Sequence, residues 1–341
     1  MRIRGRGPIL PGMRIGITGA NGFIGNHLVR FLLERRVRPV AFLQRGLDAG
    51  PLSELAGRFE EVRGDLLDPA SLDRFVAGCD AIVHLAGVNR YWSEDRSVFQ
   101  AVNVEGARNL ADACRRHRIP KLVHASSCIT LGASVLPVAR NEDSPFNLDR
   151  MGFLYATTKK AGEEEMKRQA SEHGLPVVIV HPTSAVGEMD HGPTPIGKPI
   201  ADIARGLWPV YVAGGACFID VKDVARGLWL ALERGRPGRQ YLLAGENLTN
   251  QQFMSLVATV AGARPPRIKI PRPCLTALAL GAEWVADHVT GRPPALTRSM
   301  ASLVGRYLYF DGARARQELG FDPGPLRAGI ERAVAWFRGA T

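Results

Sequence analysis

Short apolar runs alternate with longer stretches in which apolar residues recur every three or four positions through the first half of the chain. Arg14–Thr18 predicts a strand and Gly25–Arg35 an amphipathic helix. Val40–Gln44, Glu61–Gly64 and Ala81–Leu85 predict three more strands, and Val98–His117 a long helix. Leu122–Ser126 follows as a strand, Tyr155–His173 as a helix and Val177–His181 as a strand. Strand–helix alternation of this kind implies an α/β protein whose parallel sheet is covered on both faces. Right-handed crossovers then make the sheet doubly wound.

After Pro182 the pattern breaks into short segments, rich in Gly and Pro between Gly187 and Pro199. A helix near Ile200–Gly206, a strand at Tyr211–Val212 and a helix over Asp223–Glu233 are expected, with Tyr241–Ala244 as a returning strand. Thr249–Ala261 reads as a helix capped by Thr249 or Asn250, and 272–290 and 324–338 as two more. The expected organisation is a flexible N-terminal extension (1–12), a dinucleotide-binding Rossmann fold (13–181), and a smaller C-terminal α/β substrate lid (182–341) interleaved with it.

With 341 residues, 45% hydrophobic and 23% charged, the chain has the profile of a globular protein of one large or two joined domains. The formal net charge of +11 admits non-specific nucleic-acid binding. The cations are dispersed and not interleaved with aromatics, so no specific nucleic-acid site is expected. A basic surface also suits an anionic phosphate cofactor. The five cysteines, Cys79, Cys114, Cys128, Cys217 and Cys274, form no C-x-x-C pair. Neither a disulfide framework nor a zinc site is expected, which points to a reducing, cytoplasmic compartment. Met1–Gly12 lacks the apolar core of a signal peptide. The longest apolar run, Cys274–Val289, is interrupted by Glu283, Asp287 and His288. It reads as an amphipathic helix rather than a membrane span; a lipid-facing surface is its secondary reading.

The loop Thr18-Gly19-Ala20-Asn21-Gly22-Phe23-Ile24-Gly25 lies between a strand and a helix, where a dinucleotide fingerprint must lie. Gly19 permits the tight turn, Gly22 lets the backbone approach a pyrophosphate, and Gly25 lets helix and strand pack closely. An ordinary Gly-rich turn is the alternative. The second strand ends Leu43-Gln44-Arg45-Gly46, with no acid until Asp48. That favours NADP over NAD, with Arg45 on the 2′-phosphate; a solvated loop charge is the other reading. Asp65 and Leu66 close the third strand at the place of an adenine contact. Leu85-Ala86-Gly87 closes the fourth with small residues beside the cofactor.

Tyr155 and Lys159 are four apart and share a helix face. A nearby ammonium and an oxidised nicotinamide would lower the phenol's pKa, making Tyr155 a proton-exchanging group. Lys159 would also hold the nicotinamide ribose. Ser127 can donate to a substrate oxygen as charge develops. Asn103 could hold a proton-relay water or backbone beside Lys159, or be a structural bond within its helix. Ser126 reads equally as a strand-end hydrogen bond or a catalytic hydroxyl. His84, His124 and His181 read as packed, hydrogen-bonded histidines, and Cys128 as a small buried filler; no ligand spacing suggests a metal.

These residues resemble the extended short-chain dehydrogenases/reductases, the NAD-dependent epimerase/dehydratase family. The glycine loop, Gly64-Asp65-Leu66, His84-Leu85-Ala86-Gly87, Asn103-Val104-Glu105-Gly106, Ser126-Ser127 and Tyr155…Lys159 match in order from about Met13 to Phe337. Tyr91-Trp92, Thr130-Leu131-Gly132, Gly174–Val180, Pro193–Gly197 and Gly245–Thr249 make the chain similar to the dihydroflavonol-reductase-like branch, most of all to hopanoid-associated sugar epimerases. The resemblance implies a homodimer through the helices at 98–117 and 155–173. It also implies that Pro182 and Thr183 cover the nicotinamide. Two departures matter. Ser127 is followed by Cys128-Ile129, not the carboxylate pair of sugar-nucleotide dehydratases. His181-Pro182-Thr183-Ser184 replaces the Asn-containing run of nucleotide-sugar epimerases.

The expected activity is hydride transfer to or from a secondary alcohol or ketone, by an NADP-preferring dehydrogenase or reductase. Asn89, Tyr91, Trp92, Ser127, Ser184 and Thr194 are the candidate substrate contacts. Their largely apolar or aromatic surroundings (Val88–Trp92, Thr130–Leu136, Ser184–Met189, Thr194–Ile196, Phe218) suit a terpenoid, sterol or polyketide-like ligand. A sugar epimerase or dehydratase with retained NAD, and a non-catalytic NADP-binding sensor, are the alternatives.

Overall fold

The structure, a computed structural model, describes residues 12–207 and 210–339. The expected extension therefore lies, apart from Gly12, outside the described residues.

Seven strands form one parallel sheet: β1 (Arg14–Thr18), β2 (Arg38–Gln44), β3 (Glu60–Gly64), β4 (Ala81–His84), β5 (Leu122–Ala125), β6 (Val177–Pro182) and β10 (Gln240–Leu243). Their order is β10-β6-β5-β4-β1-β2-β3. β1, β4, β5 and β6 are apolar on both faces because helices cover both. On one face α1 (Phe23–Glu34) packs against α7 (Val221–Arg234); on the other lie α2 (Pro69–Val76), α4 (Gly106–Arg116) and α5 (Leu154–His173).

The long helix expected over Val98–His117 is interrupted. It runs as α3 (Ser97–Gln100), a π turn over Ala101–Glu105, and α4. The wider turn sits where α5 crosses closely, since a side chain on Gly162 would collide with the Asn103 carbonyl. Helix α2 was not expected, although Asp68 accepts from Ala70 N as its cap and Pro69 occupies the first position.

Beyond Pro182 the chain builds a second layer. β9 (Gly215–Asp220), also unanticipated, is its centre and pairs with β7 (Ser184–Val186), β11 (Glu246–Thr249) and β13 (Tyr307–Leu308). α6 (Gly197–Ala204), α8 (Asn250–Val260) and α12 (Leu326–Gly339) close over it with Phe218 stacked on Phe253. Thr249 caps α8 in a reciprocal pair with Gln252, as its sequence position suggests. β8 (Val210–Val212) pairs β12 (Ile268–Ile270) beside α9 (Arg272–Val285), which continues as a π turn to Thr290. α10 (Arg298–Leu303) packs on α9, and α11 (Ala313–Leu319) on α7 and β10. Among the described residues no helix is long and apolar enough to cross a membrane, and all five cysteines are free.

Candidate active site

β1 and β4 are neighbours, Thr18 beside His84, and the chain leaves them toward opposite sides. A crevice therefore opens at their carboxyl ends. Gly19 has φ +68, and a Cβ there would lie 2.7 Å from Ala86 N; one on Gly25 would collide with the Gly19 carbonyl oxygen. Only glycine lets β1, the turn and α1 approach the β4 end this closely. Leu85 N donates to Thr18 O (3.1 Å) and Ala86 N to Thr18 Oγ1 (3.2 Å). Gly22 precedes α1 without a side-chain cap, leaving first-turn N–H groups for an anion. Asn21 beside them donates to Asp48 O, Phe23 packs edge-on against His27, and Ile24 seats on the core. The cradle fits a dinucleotide diphosphate.

Arg45 and Asp65 flank the same edge. Arg45 is exposed and ion-paired with Asp68 at 2.9 Å. Asp65 Oδ1 accepts from Leu67 N, and Leu66 packs beneath against Gly106. Gly87 leaves room for Asn103, whose Oδ1 would lie 3.0 Å from any Cβ there.

Tyr155 and Lys159 project from the first turns of α5 toward the β5 end. The Ser127 hydroxyl lies beside the Tyr155 phenol. Burial pushes that phenol up to about 12, with the Ser127 hydroxyl working against the rise. Lys159 is buried and donates from Nζ to Ala125 O at 2.9 Å. Burial lowers its pKa to about 8, opposed by the charge of Glu163. The expected lowering of the phenol by Lys159 is not seen in the protein alone: loss of solvent dominates, and the opposing contribution comes from Ser127.

Lys159 makes a testable pH dependence. Folded, it releases its proton near pH 8, against an ordinary 10.5. Between those values the unfolded chain binds more protons, so stability rises with pH. Relative to Lys159→Met, the wild type should therefore gain stability from pH 8 to 10.5. Urea unfolding at both ends checks this; an unchanged difference refutes it.

Asn103, on the π turn, accepts from Val88 N (2.8 Å) and donates to Thr158 Oγ1 (3.1 Å). It braces the backbone after Gly87 against α5 rather than the backbone beside Lys159. Ser126 is engaged away from the crevice: its Oγ donates to Glu163 Oε2 at 2.7 Å. Ser127 faces the phenol, and its carbonyl accepts from Thr130 Oγ1.

Glu163, fully buried, was missed by sequence reasoning. It also accepts from Thr130 Oγ1 (2.6 Å), Lys160 and Lys167. His181 adjoins it at 3.7 Å and bonds Gln240 at 3.1 Å. The spacing of four from Lys159 was the available signal.

His84 is packed and bonded to Thr18 Oγ1 at 2.7 Å, and burial, then Lys159, takes it down to about 3. His124 departs from expectation: it is buried, yet neither ring nitrogen has a partner. Burial holds it neutral, well below the ordinary histidine range, and the nearby His84 and Lys159 add to the effect.

The crevice mouth is aromatic. Tyr91 packs edge-on against Phe153 (4.9 Å) and against Tyr155 (5.7 Å). Trp92 is buried and donates to Asp287 at 2.8 Å, while Asn89 is exposed. Thr183 bonds Leu243 O beyond Pro182, and Ser184 opens β7. Thr194 is occupied by Asp190 and by the Gly197 N–H ahead of α6.

Comparison with known proteins agrees with this geometry. The NAD dependent epimerase/dehydratase family matches residues 15–244. The chain is 33% identical to sterol demethylase protein B of Methylococcus capsulatus, covering 94% of this chain and 97% of that one. It is 30% identical to a putative dihydroflavonol 4-reductase of Synechocystis, covering 94% of each. The crystal structure of gox2253 superposes with a TM-score of 0.84 at 35% identity, over 96% of this chain and 98% of that one. These relatives thus match the chain along nearly its whole length. The chain belongs to the NAD-dependent epimerase/dehydratase family of extended short-chain dehydrogenases/reductases.

Proposed function

We propose that this protein is an NADP-preferring dehydrogenase or reductase acting on a secondary alcohol or ketone of an apolar, polycyclic or prenyl-like substrate. The observation that carries the reading is the Ser127–Tyr155 hydroxyl pair set against an aromatic wall, with no carboxylate free beside it. Glu163 is fully engaged by Ser126, Thr130, Lys160 and Lys167. Elimination of water needs an acid and a base flanking the substrate; here one phenol and one serine hydroxyl reach it. The relatives named for a sterol and a flavonoid reaction support an apolar ligand.

The glycine cradle would hold the diphosphate, Asp65–Leu66 the adenosine side, and Lys159 the nicotinamide ribose. When bound, the cofactor supplies or accepts hydride at its nicotinamide. Ser127 orients the substrate oxygen, and Tyr155 Oη donates a proton to it in reduction and accepts one in oxidation. Lys159 holds positive charge near the phenol, and Tyr91 and Phe153 exclude water from one side. The decisive experiment is stoichiometry. Net NADPH consumption, one per alcohol formed from a cyclic ketone, supports the reading. Retained NAD with isomerised or dehydrated sugar and no net reduction overturns it.

NADP preference rests on Arg45. Its partner Asp68 is itself solvated, and an exposed ion pair of this kind is weak. A 2′-phosphate can therefore displace Asp68. Arg45→Ala should weaken NADP binding about tenfold or more and leave NAD unchanged, measured by fluorescence titration. Equal effects on both would assign Arg45 to the loop instead.

A further inference from the structure

α9 and its π-turn extension bury one narrow stripe, Leu275, Ala279, Glu283 and Ala286. Beside it lie large apolar side chains that are open. Leu278 is 61% exposed, Leu280 50%, Trp284 58%, Val285 42% and Val289 69%. Five of the thirteen large apolar side chains exposed among the described residues sit on these two turns-rich segments. Isolated exposed leucines need no explanation, but a contiguous face does.

The start of this face is flanked by cations, while the exposed Glu94 carboxylate lies near Gly291 at its far end. Lys269 and Arg272 at the start of α9, and Arg292 just past its extension, are exposed and carry no ion pair among the described residues. The two acids in the segment are both engaged, Glu283 by Arg298 and Asp287 by Trp92 and Arg96. A cleft of about 500 Å³ opens at the start of α9 with Lys269 and Arg272 in its lining. A second copy docked face to face would bring these unpaired cations together. An anionic bilayer surface instead complements them while taking up the leucines and Trp284.

We propose that this face docks the protein on an anionic lipid surface as a peripheral helix lying in the interface. Its use rests on the apolar-substrate reading. The Trp92–Asp287 bond ties the end of this helix to the loop whose Tyr91 packs on Tyr155. An apolar substrate dissolved in the bilayer would thus meet the protein next to the catalytic mouth.

The test uses the full chain with neither cofactor nor substrate, so it stands apart from the reductase assay. Phosphatidylcholine vesicles with and without phosphatidylglycerol are sedimented with the protein. The wild type should bind the anionic vesicles, weaken with added salt, and bind the neutral ones poorly. Leu278→Ser/Trp284→Ser and Lys269→Glu/Arg272→Glu should each cut partitioning about tenfold or more. Both should keep the wild-type melting temperature and turnover of a water-soluble ketone. Binding unaltered in either variant, or absent from the wild type, overturns the proposal. A dimer that Leu278→Ser/Trp284→Ser dissociates, with no vesicle binding, would assign the face to a second copy and also overturn it. Loss of ketone turnover in the wild type with vesicle binding intact would sink the reductase reading alone.

Discussion

Tyr155→Phe should lower the turnover number by about two to four orders of magnitude while leaving NADP affinity within a factor of two or three. The phenol oxygen is the ionisable atom beside the Ser127 hydroxyl. Phenylalanine keeps the ring in contact with Tyr91 and Phe153, so packing is retained and the proton site alone is lost. Burial holds the phenol near 12 in the protein alone. Oxidation, which needs the phenolate, should therefore accelerate with rising pH across the neutral range in the wild type, and the variant should lose that slope. Steady-state rates against pH, with cofactor binding measured separately, check the result. A variant with full turnover and an unchanged pH profile would show that another group moves the proton.

The second large effect concerns stability. Glu163→Leu should destabilise the fold by about 3–5 kcal/mol, the range seen when one partner of a buried ionic cluster is removed. Ser126, Thr130, Lys160 and Lys167 would each lose their shared acceptor. Glu163→Gln, which keeps an acceptor oxygen, should cost less than half as much. The sign with pH follows from the carboxyl. Burial would raise its pKa, but His181, Lys167 and Lys160 outweigh that and hold it below the ordinary 4.5. A depressed acid stabilises fully above that value and loses the contribution as pH falls, so the gap between wild type and Glu163→Leu should narrow in acid. Urea midpoints at neutral and acid pH measure both points. A Leu variant as stable as Gln would mean the hydroxyls and ammoniums find other acceptors.

The sheet's central strands were legible because they are buried on both faces and so read as largely apolar runs; the glycine loop and the Tyr155 helix start carried their own local signals. β9 was not, although Gly-Ala-Cys-Phe-Ile-Asp is wholly buried. It follows a Gly/Pro-rich stretch, and its partners come from residues near 185, 247 and 307, so nothing local marks it. The π turn at Asn103 hides from any 3.6-residue periodicity, since its cause is the close crossing of α5. The sequence reading gave the substrate oxygen to Ser127 and left Ser126 open between a strand-end bond and catalysis. Adjacent residues at a strand end point to opposite sides, and only the position of α5 decides which meets the phenol. Arg45 was placed at the correct strand end, while its pairing with Asp68 depends on the loop geometry after β3. His124 shows a limit of another kind: a histidine ending an apolar run gives no hint that its nitrogens will go unpaired.

The returning strand has a consequence for how the enzyme is made. β6 has no neighbour on its outer side until the chain has advanced from Pro182 to Gln240 and laid β10 along it. Closing a loop of that length is slow relative to local helix formation. In the interval the edge strand is a template for pairing with another chain. Gln240, the first residue of the late strand, also supplies the partner of His181 beside Glu163. The support under Ser127 is thus completed only when the latest strand of this sheet in chain order has been laid down.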